Sequence, residues 1–376
     1  MQINSVIVAM DSFKGSLTSL QAGRAVQQGI LRACPKANIC VLPLADGGEG
    51  TVDALTDGLG GKTIQIDVSG PLGTSVQARY GIKGGTAFME MASAAGLPLV
   101  PQGKKRPLDA STYGVGMMIA DALRRGCRKF IIGIGGSATT DGGMGMLQAL
   151  GYSFRKDDGS EAGHGAADLG SICAVSSKHV MEELTEAEFQ VACDVGNPLC
   201  GPNGAAAVFG PQKGLSAEQA QNVDHAMRHY AEVCSAYSGM SLINEKGAGA
   251  AGGMGFAFLN FLNARLESGA ALVMKTIRLE EHLKDAGIFV TGEGRLDKQT
   301  IMGKAPGEAA KLAKKAGCKV IALAGCISEE TRSVNGNGID AFFPIVPGPV
   351  CLEEALSTKN AARNLANTAE QVFRLL

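Results

Sequence analysis

The chain has no excess of charge of either sign, and this absence excludes several classes of partner. Its 35 lysine and arginine residues balance 36 aspartate and glutamate residues, which leaves a formal net charge of −1. No block of five like charges occurs anywhere in the sequence. Binding to nucleic acid or to a membrane surface usually depends on a concentrated basic patch. We therefore expect neither as a partner.

Long apolar runs and cysteine motifs are also missing. No run approaches the roughly 18 apolar residues of a membrane-spanning helix, and no basic residue precedes Lys14. The ten cysteines form no C-x-x-C pair and no Cys/His cluster with zinc spacing. Several lie in or beside apolar runs, which is typical of buried free thiols in a reducing compartment. We therefore expect a cytoplasmic location.

Three common catalytic motifs are absent or misplaced. A Walker-type P-loop would need glycine in place of Lys298 and a hydroxyl residue in place of Ala305. No serine lies in G-x-S-x-G, and the five histidines have no partner at the spacing of a Ser-His-Asp hydrolase. The motif G-x-G-x-x-G occurs at 247–252 but follows a polar stretch rather than a strand, which favours glycine packing before the apolar helix 255–266.

Glycine, in contrast, is abundant, with 52 of 376 residues, about twice the usual share. Many glycines stand beside carboxylates in loops that follow apolar, strand-like runs. These loops are 9–17, 43–51, 133–145 and 290–300. Glycine at a strand-to-helix turn lets backbone N–H groups close on an anion. A carboxylate there would repel a phosphate unless a divalent cation lay between them, so the loops indicate Mg-nucleotide chemistry.

Alternating strand and helix signals at both ends of the chain predict a doubly wound parallel sheet. Near the N-terminus, the strand run 5–10 precedes an amphipathic helix over 17–33, for which Ser16 is the predicted N-cap. The other predicted strands of this sheet are 38–44, 287–292, 319–325 and 341–346.

The middle of the chain has a different pattern. The runs 63–70, 76–82 and 86–92 follow one another with tight Gly/Pro turns, which predicts antiparallel hairpins or a meander. The length of the chain suits two domains. We therefore expect one α/β domain built from residues 1–70 and 286–376, with a second α/β domain, residues 71–285, inserted into it.

The longest glycine loop, 136–145, follows a strand-like run and carries hydroxyl groups where successive N–H groups face one direction. This pattern favours phosphate or substrate binding. The alternative is a structural glycine turn in which Asp141 caps the next helix. Around Cys193, the run ACDVGNPLCG places Asp194 at a strand end, either as a proton acceptor or as a brace for the Asn-Pro turn.

Two acidic loops follow strands of the predicted sheet. Asp46 and Glu49 stand at one strand end, where open α/β sheets bind ligands, although their spacing also fits a capping box. Glu293 and Asp297 stand at a second strand end, so the two loops are predicted to converge on one metal ion. After the first strand, Lys14 supplies a point cation suited to a phosphate or a small carboxylate.

Six runs together carry a resemblance to a known family. They are DSFKGSL (11–17), PLADGGEGT (43–51), GIGGSATTDGGMGMLQALG (133–151), CDVGNPLCGPNGAAAVFGPQKG (193–214), GAGAAGGMG (247–255) and TGEGRLDKQTIMGKAPG (291–307). In this order, over essentially the whole chain, they resemble the bacterial glycerate kinase family of the first type. The resemblance implies ATP-dependent phosphorylation of (R)-glycerate, usually at the 2-hydroxyl. It also implies a flavodoxin-like domain with an inserted α/β domain and an active site in the cleft between the two.

Residue roles follow from loop context together with this resemblance. We expect Asp194 as the catalytic base, with Asp46 as the alternative, and a catalytic cation at Lys14. The expected substrate-binding residues are Asp11, Ser12, Lys14 and Arg295. The expected phosphate-binding residues, in two loops whose division between ATP and glycerate stays open, are Gly135, Gly136, Ser137, Thr139, Thr140, Asp141, Gly292 and Gly294. The expected Mg²⁺ ligands are Asp46, Glu49, Glu293 and Asp297.

The sequence leaves three other functions open. They are phosphorylation at the 3-hydroxyl, a nicotinamide-dependent hydroxy-acid oxidoreductase, and a non-catalytic sensor of small phosphorylated acids. The misplaced G-x-G-x-x-G disfavours the oxidoreductase, and the surplus of acidic loop residues disfavours a sensor of bare anions. Sequence leaves association into a homo-oligomer open.

Overall fold

The structure is a computed structural model that describes residues 5–101 and 103–376. Residues 1–4, which the sequence prediction placed in the first domain, lie outside the described residues. The chain divides into two compact units. The first unit contains the described residues up to Asp46, together with Asp53–Gly60 and Gly269–Leu376, and the second contains Gly47–Val52 and Gly61–Ser268. The predicted domain boundaries near residues 70 and 286 stay predictions.

Within the described residues, the strands in chain order are β1 (Ser5–Met10), β2 (Asn38–Pro43), β3 (Lys62–Ser69), β4 (Ser75–Lys83), β5 (Thr86–Glu90), β6 (Lys129–Gly133), β7 (Ser153–Lys156), β8 (Ile172–Ser176), β9 (Glu188–Ala192), β10 (Arg265–Glu267), β11 (Ile288–Leu296), β12 (Lys319–Ile327) and β13 (Ala341–Pro344). The α-helices are α1 (Ser19–Ala33), α2 (Thr51–Gly58), α3 (Ala92–Ala95), α4 (Tyr113–Arg124), α5 (Met144–Ala149), α6 (Ala205–Lys213), α7 (Ala217–Ser238), α8 (Ala250–Leu262), α9 (Gly269–Thr276), α10 (Leu279–Leu283), α11 (Ala305–Lys315), α12 (Leu352–Leu356) and α13 (Thr358–Phe373). None of these helices combines the length and the apolar character that crossing a membrane requires.

The first unit is built on a five-stranded sheet in the order β13-β12-β11-β1-β2. All four neighbouring pairs are parallel. This is the strand order of flavodoxin-like doubly wound sheets, and the predicted fold class is confirmed. Strand β1 is buried along nearly its whole length because a central parallel strand is covered on both faces.

Helix α1 begins two residues later than the sequence predicted. Its N-cap is Thr18 rather than Ser16, because the Thr18 hydroxyl accepts a hydrogen bond from the Gln21 N–H and the Gln21 side chain accepts one from the Thr18 N–H. The resulting capping box satisfies two backbone donors of the first turn. The sequence carried this signal in Thr18 and Gln21, and the prediction at Ser16 was wrong.

The second unit contains a mixed six-stranded sheet in the order β10-β9-β6-β5-β4-β3. The meander β3-β4-β5 is antiparallel, as the tight turns predicted, while β5, β6, β9 and β10 pair in parallel. A separate two-stranded sheet pairs β7 with β8. All ten cysteines have free thiols. Of the five beside apolar runs, Cys127 and Cys318 are buried, as predicted, whereas Cys34, Cys40 and Cys193 are only partly buried; elsewhere Cys173, Cys326 and Cys351 are exposed.

Helices α1 and α13 cross closely in the first unit because glycine stands at the contact. A Cβ atom added at Gly29 would lie 2.0 Å from the Ala366 carbonyl oxygen and 2.9 Å from the Ala369 Cβ. Contacts this short force backbone movement, because the obstructing atom is main chain.

We therefore expect Gly29→Ala to lower the free energy of unfolding by about 1–3 kcal/mol, the usual cost of overpacking. The measurement is the urea midpoint of the purified protein. Gly336→Ala is the matched control, because a Cβ atom there would meet open space. Equal midpoints for the two variants would contradict the close-crossing argument.

Candidate active site

A cavity of about 530 Å³ lies in the first unit at the carboxyl ends of its strands. Every strand of the sheet supplies part of its lining. In sheet order, these parts are Asp46 after β2, residues 11–16 after β1, residues 293–297 of β11 and its following loop, Gly325 and Cys326 of β12, and Ile345 and Val346 after β13. Ligands of open α/β sheets bind at this edge.

Most of the site residues predicted in the first unit meet at this cavity. Those that line it are Asp11, Ser12, Lys14, Asp46, Glu293, Gly294, Arg295 and Asp297. Gly292 lies inside β11, where its carbonyl oxygen accepts a hydrogen bond of 2.8 Å from the Asp11 N–H. Glu49 is exposed and belongs to the second unit.

Three carboxylates crowd one end of the cavity. The pKa of Asp11 is raised to about 7, chiefly by burial and also by the nearby charges of Asp46 and Glu293, against the opposing hydrogen bond from the Ser12 N–H. Burial also raises the pKa of Glu293. The negative charges of these carboxylates therefore repel one another, and a bound cation would relieve that repulsion.

Glu293 is fixed in place by two side chains. It is 6% exposed, accepts a 2.6 Å hydrogen bond from the Thr300 hydroxyl, and lies 3.3 Å from the Lys304 ammonium. Both partners lower its pKa and offset part of the effect of burial. Lys304 also lines the cavity, and the sequence analysis missed it. A lysine at the N-cap of α11, where the helix dipole disfavours a cation, is the signal that could have revealed it.

The other predicted residues of segment 293–297, Arg295 and Asp297, already have partners within the protein. Asp297 is the N-cap of the short 3₁₀ helix Lys298–Ile301 and accepts a hydrogen bond from the Gln299 N–H. Its other oxygen lies 3.6 Å from Arg295, whose side chain is exposed. In the described part of the chain, no group of three or more His, Cys, Asp or Glu side chains forms a ready-made metal site. The predicted Mg²⁺ ligand set therefore stays a prediction.

One polar atom in the lining is buried without a hydrogen-bond partner among the described residues. It is the hydroxyl oxygen of Ser16, in the loop between β1 and α1. An unmet buried hydroxyl costs about 1–3 kcal/mol. A ligand with hydrogen-bonding groups would recover this energy, so Ser16 fits a site for a polar or anionic molecule.

The glycine loop 135–143 belongs to the second unit, and its side chains mostly serve the protein itself. Gly135 and Gly136 are exposed, whereas Ser137, Thr139, Thr140 and Asp141 are buried. The Asp141 carboxylate accepts hydrogen bonds from the backbone N–H groups of Thr112, Gly143 and Gly145 and from the Thr112 hydroxyl. The carboxylate thus ties this loop and the first turn of α5 to Thr112, although the N-cap of α5 is Gly143 rather than Asp141. Phosphate binding by the loop stays a prediction.

A buried lysine, which the sequence analysis also missed, holds this loop. The Lys213 ammonium donates 2.7 Å hydrogen bonds to the Ser137 hydroxyl and to the Thr139 carbonyl oxygen. Burial lowers the pKa of Lys213 to about 7, although the charge of Asp141 opposes this effect. The Thr139 hydroxyl is buried with no partner among the described residues. No local pattern could have revealed Lys213, because its partners lie more than 70 positions away.

The remaining motifs of the second unit have clear places. Asp194 is exposed, two residues beyond the end of β9, and its role as base stays a prediction. The G-x-G-x-x-G segment packs closely, as predicted, but the helix after it ends at Leu262 rather than at 266, because Asn263 is its left-handed C-cap and β10 begins at Arg265. A Cβ atom at Gly252 would lie 2.0 Å from the Thr139 carbonyl oxygen, and one at Gly249 would lie 2.1 Å from that of Pro198. These glycines let backbone approach backbone.

Comparison with known proteins gives one consistent result. The sequence model of the glycerate kinase family matches residues 6–376. Glycerate kinases from Halalkalibacterium halodurans and Haemophilus influenzae are each 44% identical to this chain, over 97% and 98% of it and 98% of each relative. The glycerate 2-kinase of Escherichia coli is 42% identical over 96% of this chain and 97% of its own. A crystal structure assigned to glycerate kinase 2 from Salmonella typhimurium superposes with a TM-score of 0.91 at 41% identity, covering 99% of this chain and 98% of the other.

The pKa of Lys213 makes the stability of the protein depend on pH. Because the native pKa is about 7 and the ordinary value is 10.5, the unfolded chain binds more protons than the native protein between these two values. The contribution of Lys213 to the free energy of unfolding therefore rises with pH across this window. We expect wild type to gain stability relative to Lys213→Met between pH 7 and pH 9, as measured by urea denaturation.

The control for this experiment is Lys284→Met, which removes an exposed lysine. Its stability should run parallel to that of wild type over the same pH range. If the Lys213→Met profile also ran parallel to that of wild type, Lys213 would have its ordinary pKa in the native protein. The lowering of that pKa by burial would then be disproved.

Proposed function

Because the chain belongs to the glycerate kinase family, we propose that it transfers the γ-phosphoryl group of ATP to the 2-hydroxyl of (R)-glycerate, giving 2-phosphoglycerate and ADP. The choice of hydroxyl is supported by the relative from Escherichia coli that is named a glycerate 2-kinase. The observation that carries the proposal is the cavity of the first unit, where crowded carboxylates stand beside Lys14, Arg295 and Lys304.

Phosphoryl transfer depends more on positioning of the reactants and on charge neutralisation than on covalent catalysis by the protein. The glycerate 2-hydroxyl oxygen attacks the γ-phosphorus, the bond from that phosphorus to the bridging oxygen breaks, and ADP leaves. Lys14 and Arg295 bind the glycerate carboxylate and the transferring phosphoryl group. The hydroxyl proton passes to a carboxylate, for which we propose Asp194, with Asp46 as the alternative.

The cavity also suits Mg²⁺. Hard oxygen ligands such as carboxylates bind this ion together with substrate phosphates. Burial, together with the charges of Asp46 and Glu293, raises the pKa of Asp11, and a bound cation would relieve the repulsion among these carboxylates. Asp46, Glu293 and Asp297 would hold the ion from this cavity, and Glu49 is the fourth predicted ligand. When bound, Mg²⁺ neutralises charge on the phosphate oxygens.

The reaction itself is tested by ³¹P NMR on the purified protein with ATP, Mg²⁺ and (R)-glycerate. We expect a glycerate-dependent signal of 2-phosphoglycerate, with no product when Lys14 is replaced by Ala at the same substrate concentrations. Accumulation of 3-phosphoglycerate would support glycerate kinase activity but contradict transfer to the 2-hydroxyl. Binding of glycerate without turnover would favour the sensor.

The base is tested by amide substitutions. Asp194→Asn should lower kcat by at least about 100-fold, the usual contribution of a general base, with little change in either KM. If Asp194→Asn turns over like wild type and Asp46→Asn does not, the proton passes to Asp46 instead. Normal turnover by both variants would exclude both residues.

The cation site is tested without turnover. Mg²⁺ alone should raise the melting temperature, because it binds the native cavity and relieves the repulsion among its carboxylates. Asp11→Asn should reduce this rise, since the substitution removes one of the crowded charges. Asp285→Asn, which changes an exposed aspartate of the same unit, should leave the rise unchanged. Identical Mg²⁺ responses in all three proteins would contradict binding at this cavity.

A further inference from the structure

We propose that Lys304 binds the phosphate chain of the phosphoryl donor, with its ammonium group in direct contact with a phosphate oxygen. The inference rests on the proposed function and deepens it, because it gives a role to a residue that the sequence analysis did not assign. Three features of this lysine support it: its place at the start of α11, its unused N–H groups and its carboxylate neighbour.

Lys304 occupies a position that is unfavourable for a lysine. It is the N-cap of α11, and its side chain makes no capping hydrogen bond. Ser, Thr, Asp and Asn are preferred at an N-cap because their oxygens accept from the first backbone N–H groups, whereas an ammonium group has no acceptor. The positive end of the helix dipole also repels the ammonium. Residues that break such local rules are expected at functional sites, where a ligand compensates for the cost.

The ammonium group keeps bonding capacity for a ligand. It has three N–H donors, and its one hydrogen bond within the described residues goes to the Glu293 carboxylate, 3.3 Å away. The side chain is 33% exposed and lines the cavity of the first unit. An anionic oxygen bound in the cavity therefore finds a donor without having to break this ion pair.

An anion at this place would relieve the conflict between Lys304 and α11. The ammonium and the positive end of the helix both attract an anion, and the backbone N–H groups of the first turn are further donors. Lysine side chains and helix N-termini are common phosphate-binding groups. Glycerate has a single carboxylate, which Lys14 and Arg295 bind in the proposed reaction, whereas ATP has a chain of phosphates that needs further cations.

The Gly303–Lys304 pair is the part of a Walker-type motif that the chain retains. In P-loops, the lysine at the start of the helix reaches the β- and γ-phosphates. Here β11 and the 3₁₀ helix Lys298–Ile301 precede Lys304, so the loop itself is built differently. Lys304 nevertheless stands between a strand of the sheet and the first turn of a helix, which is where a P-loop places its lysine.

Glu293 places Lys304 beside the predicted metal ligands. The charges of Glu293, Asp46 and Lys14 all act on Asp11, so these groups lie within electrostatic reach of one another. Mg²⁺ binds substrate phosphates together with carboxylates of this kind. A lysine that lies 3.3 Å from one of these carboxylates is close enough to share the same phosphates.

The first test is turnover with the lysine replaced. Lys304→Met removes the charge and keeps most of the side-chain length. We expect kcat to fall about 100-fold, the usual loss when one group that stabilises transition-state charge is removed, while the KM for glycerate stays near wild type. Lys304→Arg, which keeps the charge, should retain much more of the rate. An unchanged kcat in Lys304→Met, or a rise confined to the KM for glycerate, would overturn the inference.

The matched control is Lys315→Met. Lys315 is exposed, stands at the other end of α11 and does not line the cavity. Its replacement should leave kcat and both KM values near wild type. An equal loss of kcat in Lys315→Met and Lys304→Met would show a general effect of charge on α11 and overturn the direct contact.

Binding without Mg²⁺ separates direct contact from an effect through Glu293. Inorganic tripolyphosphate has the anionic chain of ATP without the nucleoside. Calorimetry should show about tenfold weaker binding of tripolyphosphate to Lys304→Met, equal to about 1.4 kcal/mol. The same loss should appear when Lys304→Met is combined with Glu293→Gln. If the loss vanishes in that background, the lysine acts only by positioning Glu293, and the inference is overturned.

These outcomes distinguish the inference from the proposed function. If wild type phosphorylates glycerate and Lys304→Met binds tripolyphosphate as tightly as wild type does, the kinase stands and the phosphate contact is overturned. If neither protein phosphorylates glycerate, yet tripolyphosphate binding weakens in the variant alone, the phosphate contact is supported and the proposed reaction is overturned.

Discussion

Strand β1 pairs in parallel with β11, and the candidate site depends on this pairing. The Thr291 hydroxyl donates to the carbonyl oxygen of Ala9, 282 positions away along the chain, and the Asp11 N–H donates to the Gly292 carbonyl oxygen. These bonds place the loop after β1 beside Glu293. The strand order changes direction at this pair, and doubly wound sheets bind their ligands at such a switch point. Without the pairing, Lys14 and Glu293 would belong to unrelated parts of the chain.

The same pairing creates an electrostatic cost. It brings the buried Asp11 close to the Glu293 carboxylate, while the pairing of β1 with β2 brings Asp46 close. Burial and the charges of both neighbours raise the pKa of Asp11, and the Lys14 ammonium opposes this effect. Lys304 and Thr300 compensate Glu293 only in part. Functional sites commonly keep such unfavourable arrangements, because groups preorganised for a ligand are poorly satisfied without it. The buried Ser16 hydroxyl belongs to the same pattern.

Local patterns in the sequence were enough to predict most of the fold. The apolar strand runs and their tight turns gave the parallel sheet of the first unit and the β3-β4-β5 meander, because strand periodicity and turn chemistry are local properties. The N-cap of α1 was placed at Ser16 because a hydroxyl alone was considered, whereas Thr18 is selected by its reciprocal bond with Gln21. Lys213 was missed because its partners lie far away in sequence and only the fold brings them near. Lys304 was missed although its position before α11 carries a signal.

The discontinuity of the first unit has a consequence for biosynthesis. The second unit is almost contiguous in sequence, whereas β1 is a central strand whose neighbour β11 is encoded after it. At about 5–20 residues per second, the ribosome needs roughly 15–60 s to synthesise the intervening chain. During this interval the apolar segment VIVAM has β2 on one side and an open edge on the other. Until β11 is made, the strand that will carry the site therefore has one unpaired edge, which is a template for pairing with other chains.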